Sequence, residues 1–511
     1  MTTVDRRSFL RQSTVAGAGL VGAGAVQTLA ARNALAKHSP EASPYGPVSP
    51  VRDRTTGERI LALPRGFKYA TFGAIGSTMS DGLLTPIALD GMACFPHPSE
   101  RPGRGARNQS GRNRGLVRLI RNHEDRNAPG AGSNKPTDAE AGTVYDPQAG
   151  GGTSTLDFDT RKFELVQDFI SLKGTIVNCA GGFSLGQTGW LTSEETVRPF
   201  GSVKHGYNFF VPVDRDLGEG VGSQPIVPMG RFAHEAACTD ERTGIVYQTE
   251  DAGSGVGSGF YRFIPDSPRD FMGGGRLEML AVVGSDRADL REGQTIGDAL
   301  PVRWVPIASP DTDGQDNNTP GSVFQQGSVL GGAKFNRLEG CWYDDKRSIF
   351  FCSTSGGDVK NPDRNSDGFQ EGYGQVWQYR TDRFGGTLTL VYESTGKEAL
   401  DSPDNLLVTP RGGIILCEDD ASGDDDTNPA DPNTPKITDV NRLIGFSRRG
   451  GVFEFAVNIL NDTEFAGATF SPDGRVLFVN IFGEGSSGTI EARKDTGMTI
   501  AITGPWNKGP L

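Results

Sequence analysis

Glu235-Ala236-Ala237-Cys238-Thr239-Asp240-Glu241-Arg242-Thr243-Gly244-Ile245-Val246-Tyr247 is the stretch on which the fold turns. An acid precedes an apolar run, a polar Thr-Asp-Glu-Arg-Thr-Gly turn reverses the chain, and a β-branched and aromatic run returns, which reads as a hairpin with a carboxylate at its start. The unit recurs. Glu339 stands ten residues before Ile349, with a turn at 344–348 leading into Ile349-Phe350-Phe351. Asp404 stands ten before Ile414, with Pro410-Arg411-Gly412-Gly413 as the turn and Ile414-Ile415-Leu416 as the return. Ala466 to Phe478, reversing at Ser471-Pro472-Asp473-Gly474, is a fourth copy. Acids also close the first and third units, as Glu250-Asp251 and Glu418-Asp419-Asp420. Hairpins repeating without helices between them predict an all-β fold, a β-propeller of six or seven blades at roughly 40 to 50 residues each plus loop insertions. Its inner strands converge on one axis and would bring distant acids together. A single acid at a strand end is most simply a solvated turn residue. A set at one recurring offset points to a cluster.

Composition agrees. Glycine (71) and proline (31) make up a fifth of the 511 residues, against about 12% in average usage. The start of the chain, Asp5-Arg6-Arg7-Ser8-Phe9-Leu10 followed by a weakly apolar Gly/Ala-rich run and Ala34-Leu35-Ala36, has the pattern of a twin-arginine signal peptide over residues 1–36. It predicts handling by the twin-arginine export machinery and a periplasmic or secreted location. No later stretch is long and apolar enough for a retained membrane span. Residues 37–63 are Pro- and charge-rich and read as an N-terminal arm, with Ile60-Leu61-Ala62-Leu63-Pro64 opening the ordered part, which leaves 64–511 as a single propeller domain. Without residues 1–36 the chain has 47 basic and 62 acidic residues, a formal charge of −15, which argues against a nucleic-acid surface. The six cysteines show neither CxxC spacing nor the crowding of a disulfide scaffold.

The chemistry centres on Asn178-Cys179-Ala180-Gly181-Gly182, which runs through Trp190-Leu191-Thr192 to Glu194-Glu195. One thiol and two carboxylates within a hairpin's reach are metal-ligand types, although a lone cysteine is more often core. Only five histidines exist, at 38, 97, 123, 205 and 234, so a His-rich zinc site is disfavoured. The donors are mainly oxygens, which suit calcium, magnesium, manganese or ferric iron. Crowded carboxylates raise one another's pKa, and bound cations keep them ionised together. Arg337, two residues before Glu339, could offer a bidentate grip on a phosphoryl group or serve as a surface ion-pair partner. Asp363-Arg364-Asn365-Ser366-Asp367-Gly368 matches half of a calcium loop, but Gly374 stands where the closing Glu belongs, so a polar loop is the better reading. Asp424-Asp425-Asp426 reads as a solvated charge run.

Arg121-Asn122-His123-Glu124, Gly151 to Thr155, Asn178 to Gly182 with Leu191 to Glu195, Gly230 to Glu235, Arg337-Leu338-Glu339-Gly340, Asp404-Asn405-Leu406 and Phe470 to Gly474 together resemble the PhoX-type alkaline phosphatases, in order over nearly the whole chain after the signal segment. The resemblance implies a six-bladed propeller carrying ferric iron (Fe3+) and calcium (Ca2+) on its axis, with a cysteine thiolate bridging the irons, and hydrolysis of phosphate monoesters after export. It assigns the bridging thiolate to Cys179, metal ligation to Glu235, Glu339, Asp404 and Glu124, and the phosphate grip to Arg337. The acids Glu194, Glu195 and Glu418 are further ligand candidates from their places at hairpin ends. Ser193 stands where the family pattern has a cysteine, the acid-rich segment after Glu418 is expanded, and the chain is shorter than many members, which leaves the substrate preference open. Two rival readings are a calcium-only propeller phosphodiesterase or lactonase, which would tolerate Cys179→Ala, and a non-catalytic exported propeller that binds a ligand at its axial mouth.

Overall fold

The computed structural model describes residues 41–100, 115–126, 134–199, 201–252, 256–314, 317–382, 385–419, 440–446, 450–483 and 496–511. The twin-arginine segment and the Asp424–Asp426 run lie outside the described residues. Strands dominate, and the α-helix among the described residues is a seven-residue piece, Val323–Val329, capped by Ser322, whose Oγ accepts from the Gln325 N–H. None of the described helices is long and apolar enough to cross a membrane.

The architecture is a β-propeller. Six strands, Leu89–Pro96, Asn178–Phe183, His234–Thr239, Leu338–Tyr343, Pro403–Val408 and Phe465–Phe470, neighbour one another in that order, and the last returns to the first. Each pairs antiparallel with the next strand in the chain, and the hairpins read from the sequence at Glu235, Glu339, Asp404 and Ala466 are four of these six pairs. Sheet membership is less regular than the ring, because Ala299–Pro306 pairs with Thr387–Glu393 and joins two groups of strands into one nine-stranded sheet.

Closure comes from the chain ends. Lys68–Phe72 pairs with Met498–Thr503, with Ala70 opposite Ala501, so the last sheet holds both early and late residues. The segment expected to be an arm contributes to the propeller as well: Val48–Arg52 pairs with Arg59–Pro64, which joins Val452–Asn458 through Leu61 and Ala62. The physical reason is the run Ile60-Leu61-Ala62-Leu63, which is buried. Leu61 and Leu63 lie in one cluster with Phe455, Leu477 and Ile502. Elsewhere neighbouring sheets meet face to face, as where Phe95, Ile120 and Leu172 meet Trp190, Phe209 and Val211. Each such fully buried large side chain contributes about 1.5–3 kcal/mol.

Candidate metal centre

The six inner strands share one local device. In five of the ladders the pairing register breaks just inside the first pair, at 90–91, 179–180, 235–236, 339–340 and 404–405, and in the sixth it breaks one pair later, at 467–468. Such bulges bend a strand and re-aim a side chain. A second repeat fixes the spot: the residue following each partner strand donates its N–H to a carbonyl two residues ahead of the re-aimed position. These bonds are Glu124 to Ala88, Glu195 to Val177, Asp251 to Ala233, Thr354 to Arg337, Asp419 to Ser402 and Phe482 to Glu464, at 2.8–3.2 Å. Four of the accepting residues, Ala88, Val177, Arg337 and Ser402, have φ of 41–54°, where a side chain costs about 1–3 kcal/mol. Recurrence of this strain at equivalent places marks a constraint imposed by the axis.

Two residues beyond those carbonyls stand Asp90, Cys179, Glu235, Glu339, Asp404 and, in the sixth strand, Ala466. A small residue follows five of them: Gly91, Ala180, Ala236, Gly340 and Gly467. The close approach of the strands requires it. A Cβ on Gly91 would come within 2.5 Å of the Ala180 Cα, one on Gly340 within 2.4 Å of the Leu406 N, and one on Gly467 within 2.5 Å of the Asp90 O.

The side chains so aimed form a continuous chain of donor groups. Asp90, Glu124 and Cys179 offer ligand atoms within 4.8 Å of one another, as do Cys179, Glu195 and Glu235; Glu235, Glu339 and Asp404; and Asp404, Asp419 and Glu464. Cys179, Glu235 and Asp404 each belong to two groups, so eight carboxylates and one thiol run together. Two guanidinium groups border them. Arg126 pairs with Glu124 and, at 3.2 Å, with Glu195. Arg337 pairs with Asp251 at 2.9 Å and lies 3.6 Å from Glu339.

The electrostatics follow from burial. Asp90, Cys179, Glu235 and Glu339 are at most 4% exposed. Loss of water, and then the charges of their neighbours, push the carboxyls of Asp90, Glu235 and Glu339 well above the usual range, and burial likewise pushes up the Cys179 thiol. Asp404 is pushed up to about 8, by burial and then by Asp419. Both carboxylate oxygens of Glu235 and the Oδ1 of Asp90 are buried without a hydrogen-bond partner among the described residues. A buried, unpaired carboxylate is strongly unfavourable unless a cation meets it. The donor set therefore fits cations: hard oxygens in excess, a buried acid with neither oxygen partnered, and one soft sulfur shared between two groups.

Of the residues singled out in the sequence, Cys179, Glu124, Glu195, Glu235, Glu339 and Asp404 come together here, with Arg337 at their edge. Glu194 and Glu418 do not. The Glu194 carboxylate accepts from the N–H groups of Ile176 and Gly206 and meets His205 Nδ1 at 2.8 Å. Glu418 accepts from Arg442 at 2.6 Å and from the Asp401 N–H at 2.8 Å. Each is the last residue of its strand, and side chains alternate between faces, so the following residue, Glu195 or Asp419, turns to the axis. The same alternation sends His123 away to Ser154 and Ile87 while Glu124 faces inward. Asp90, Glu464 and Arg126 are site residues that the sequence reading missed, and Asp419 was noted among the acids closing the third unit while its neighbour Glu418 was taken as the ligand. The acid-small pair Asp90-Gly91, matching Glu339-Gly340, was the available signal for the first. Glu464 carried none, because it occupies the place that Ala88 and Val177 hold in other strands. The half-calcium loop is a hairpin in which Asp367 Oδ2 meets Arg291 at 2.8 Å and Asp367 Oδ1 accepts from the Phe369 N–H.

A protein-family model described as alkaline phosphatase PhoX matches residues 43–485. Among solved structures, the chain superposes on Pseudomonas fluorescens PhoX in complex with vanadate, a transition state analogue, with a TM-score of 0.60 at 16% identity, covering 91% of this chain and 99% of that one. A Xanthomonas campestris gluconolactonase gives a TM-score of 0.38 at 9% identity, covering 92% and 99% of the two chains. The Pseudomonas aeruginosa periplasmic gluconolactonase gives 0.32 at 12% identity, covering 81% and 95%. No curated protein sequence matches the chain. With the family model spanning most of its length, this chain belongs to the alkaline phosphatase PhoX family.

Proposed function

We propose that the axial chain of donors is the catalytic centre of a metal-dependent phosphomonoesterase, acting on phosphate monoesters outside the cytoplasm. The observation that carries this reading is Glu235, fully buried, with neither oxygen partnered and a place in two donor groups at once. Asp90, Glu124, Cys179, Glu195, Glu235, Glu339 and Asp404 would hold the cations, with Asp419 and Glu464 extending the set. The single sulfur among many oxygens favours two kinds of ion, ferric iron beside the Cys179 thiolate and calcium where donors are all carboxylate. Bound cations supply Lewis-acid chemistry: they neutralise charge on the phosphoryl oxygens and make water a stronger acid.

The chain's own residues set the geometry. Arg337 enters from the rim with its side chain 31% exposed, so its planar guanidinium can reach a phosphoryl group from solvent while remaining anchored inside. Asp251 holds that guanidinium through Nε and Nη2, which orients it and leaves Nη1 uncommitted among the described residues. The positive charge offsets charge on the transferring group. Arg126, 64% exposed, bridges Glu124 and Glu195 and adds a second positive charge at the edge of the donor groups. The Asn122 side chain donates to the carbonyls of Cys179 and Ala180, at 2.8 and 2.7 Å, and accepts from the Trp190 indole at 2.9 Å. This network locks the sulfur-bearing bulge. Export of a folded, metal-loaded chain is the route that the twin-arginine pattern supports.

The test is turnover of p-nitrophenyl phosphate by purified holoprotein, beside a phosphodiester and a lactone. Release of p-nitrophenol from the monoester, lost on chelation, supports the assignment. A lactone or diester cleaved faster than the monoester would overturn it.

A further inference from the structure

Two thiols outside the metal centre face each other across neighbouring inner strands. Cys238 lies three residues past Glu235 and Cys341 two past Glu339, and their Sγ atoms stand 2.9 Å apart. Their strands neighbour each other around the axis but form the two ends of the nine-stranded sheet, so no backbone ladder joins them. Both sulfurs belong to free cysteines. The two residues line a cavity of about 90 Å³ with Gly181, Gly182 and Trp342. That cavity adjoins one of about 490 Å³, the two sharing Phe183, Gln187, Trp342, Tyr343 and Asp345 as walls. The other four cysteines are differently placed. Cys179 is in the donor chain, the Cys352 thiol donates to the Asp404 carbonyl at 2.8 Å, and Cys94 and Cys417 pack in two different core clusters.

We propose that Cys238 and Cys341 are a redox pair that closes to a disulfide when the folded protein meets a disulfide-bearing oxidant, stapling the strand of Glu235 to the strand of Glu339. One cysteine gives up its proton and attacks a sulfur of the oxidant's disulfide, forming a mixed disulfide and releasing one oxidant thiol. The second cysteine, losing its proton, attacks the first cysteine's sulfur and releases the other oxidant thiol. Two electrons and two protons pass from the cysteine pair to the oxidant. The link would close a loop of 103 residues, and a link across so long a loop restricts the unfolded chain strongly. It also ties together two strands that bear metal ligands.

The experiment uses the holoprotein incubated with oxidised glutathione, quenched in denaturant with iodoacetamide, and analysed by mass spectrometry. Four labelled cysteines and a peptide joining Cys238 to Cys341 are expected, and six labelled cysteines after reduction. Thermal melting supplies the second readout. The oxidised protein should melt several degrees above its reduced form, a difference that vanishes in the Cys238→Ala/Cys341→Ala variant, which controls for action of the reductant on bound metal. Six labelled cysteines after oxidant, or a link through any other cysteine, would overturn the proposal.

Discussion

Stripping the cations from the axial centre should leave a protein whose stability falls as pH rises. Asp404 gives the magnitude. In the cation-free fold its carboxyl moves from 3.8 up to about 8. Between those values the folded protein keeps a proton that the unfolded chain has released, so this group's contribution is fully present below about pH 4 and is lost as pH passes 8. The slope is about 1.4 kcal/mol per pH unit, and the full window is worth up to ~6 kcal/mol. Solvent reaches part of this side chain, so ~3 kcal/mol is the safer figure. Even that is a large share of the 5–15 kcal/mol that holds a typical domain folded. Asp90, Glu195, Glu235, Glu339 and Glu464 are pushed in the same direction by burial, so the observed slope should exceed that of one group. The assay is urea unfolding of chelated and metal-loaded protein at about pH 5, 6.5 and 8. Chelated protein should lose midpoint steadily across the series, metal-loaded protein should not, and Asp404→Asn should reduce the chelated slope by up to ~1.4 kcal/mol per pH unit. A chelated protein equally stable at pH 5 and 8 would refute the reasoning.

Other changes separate roles. Cys179→Ala should abolish turnover and the share of bound metal that depends on sulfur while the fold persists, since the thiol adds only ~1 kcal/mol of burial; circular dichroism beside metal analysis checks this. Arg337→Lys keeps the charge but loses the planar fork held by Asp251, and should lower kcat by roughly 10²–10³ with metal content unchanged. Glu418→Gln should cost ~3–5 kcal/mol of stability, because it leaves the largely buried Arg442 without its charge partner. Turnover per folded, metal-loaded molecule should stay at the wild-type level, as expected of a residue outside the donor chain.

The ten-residue spacing from Glu235 to Ile245 and its copies was legible because it is the length of one inner hairpin, and it carried both the strand pattern and the aimed acid. What the spacing could not give was the face. Glu194-Glu195 and Glu418-Asp419 are consecutive acids, and which of each pair turns to the axis depends on a strand boundary one residue wide. Asp90 sits in a strand whose turn is stretched by the long segment between Pro96 and Leu116, so the offset that exposed the other acids was absent. The ordered start at Ile60 to Pro64 was legible as an apolar run, but the pairing of Val48–Arg52 with it was not, because that strand carries polar residues and a proline. Arg337 was found by its nearness to Glu339, but its hold on Asp251 joins positions 86 residues apart and has no local signal.

Metal content measured against activity tests the central claim most directly. Protein purified through its export route, without added metal, should carry tightly held cations in fixed ratio to polypeptide, with iron and calcium among them. Glu235→Ala should lose part of that metal and the phosphatase activity in step. Fully active protein with no bound cation, or a Glu235→Ala variant that keeps both metal and turnover, would contradict the account.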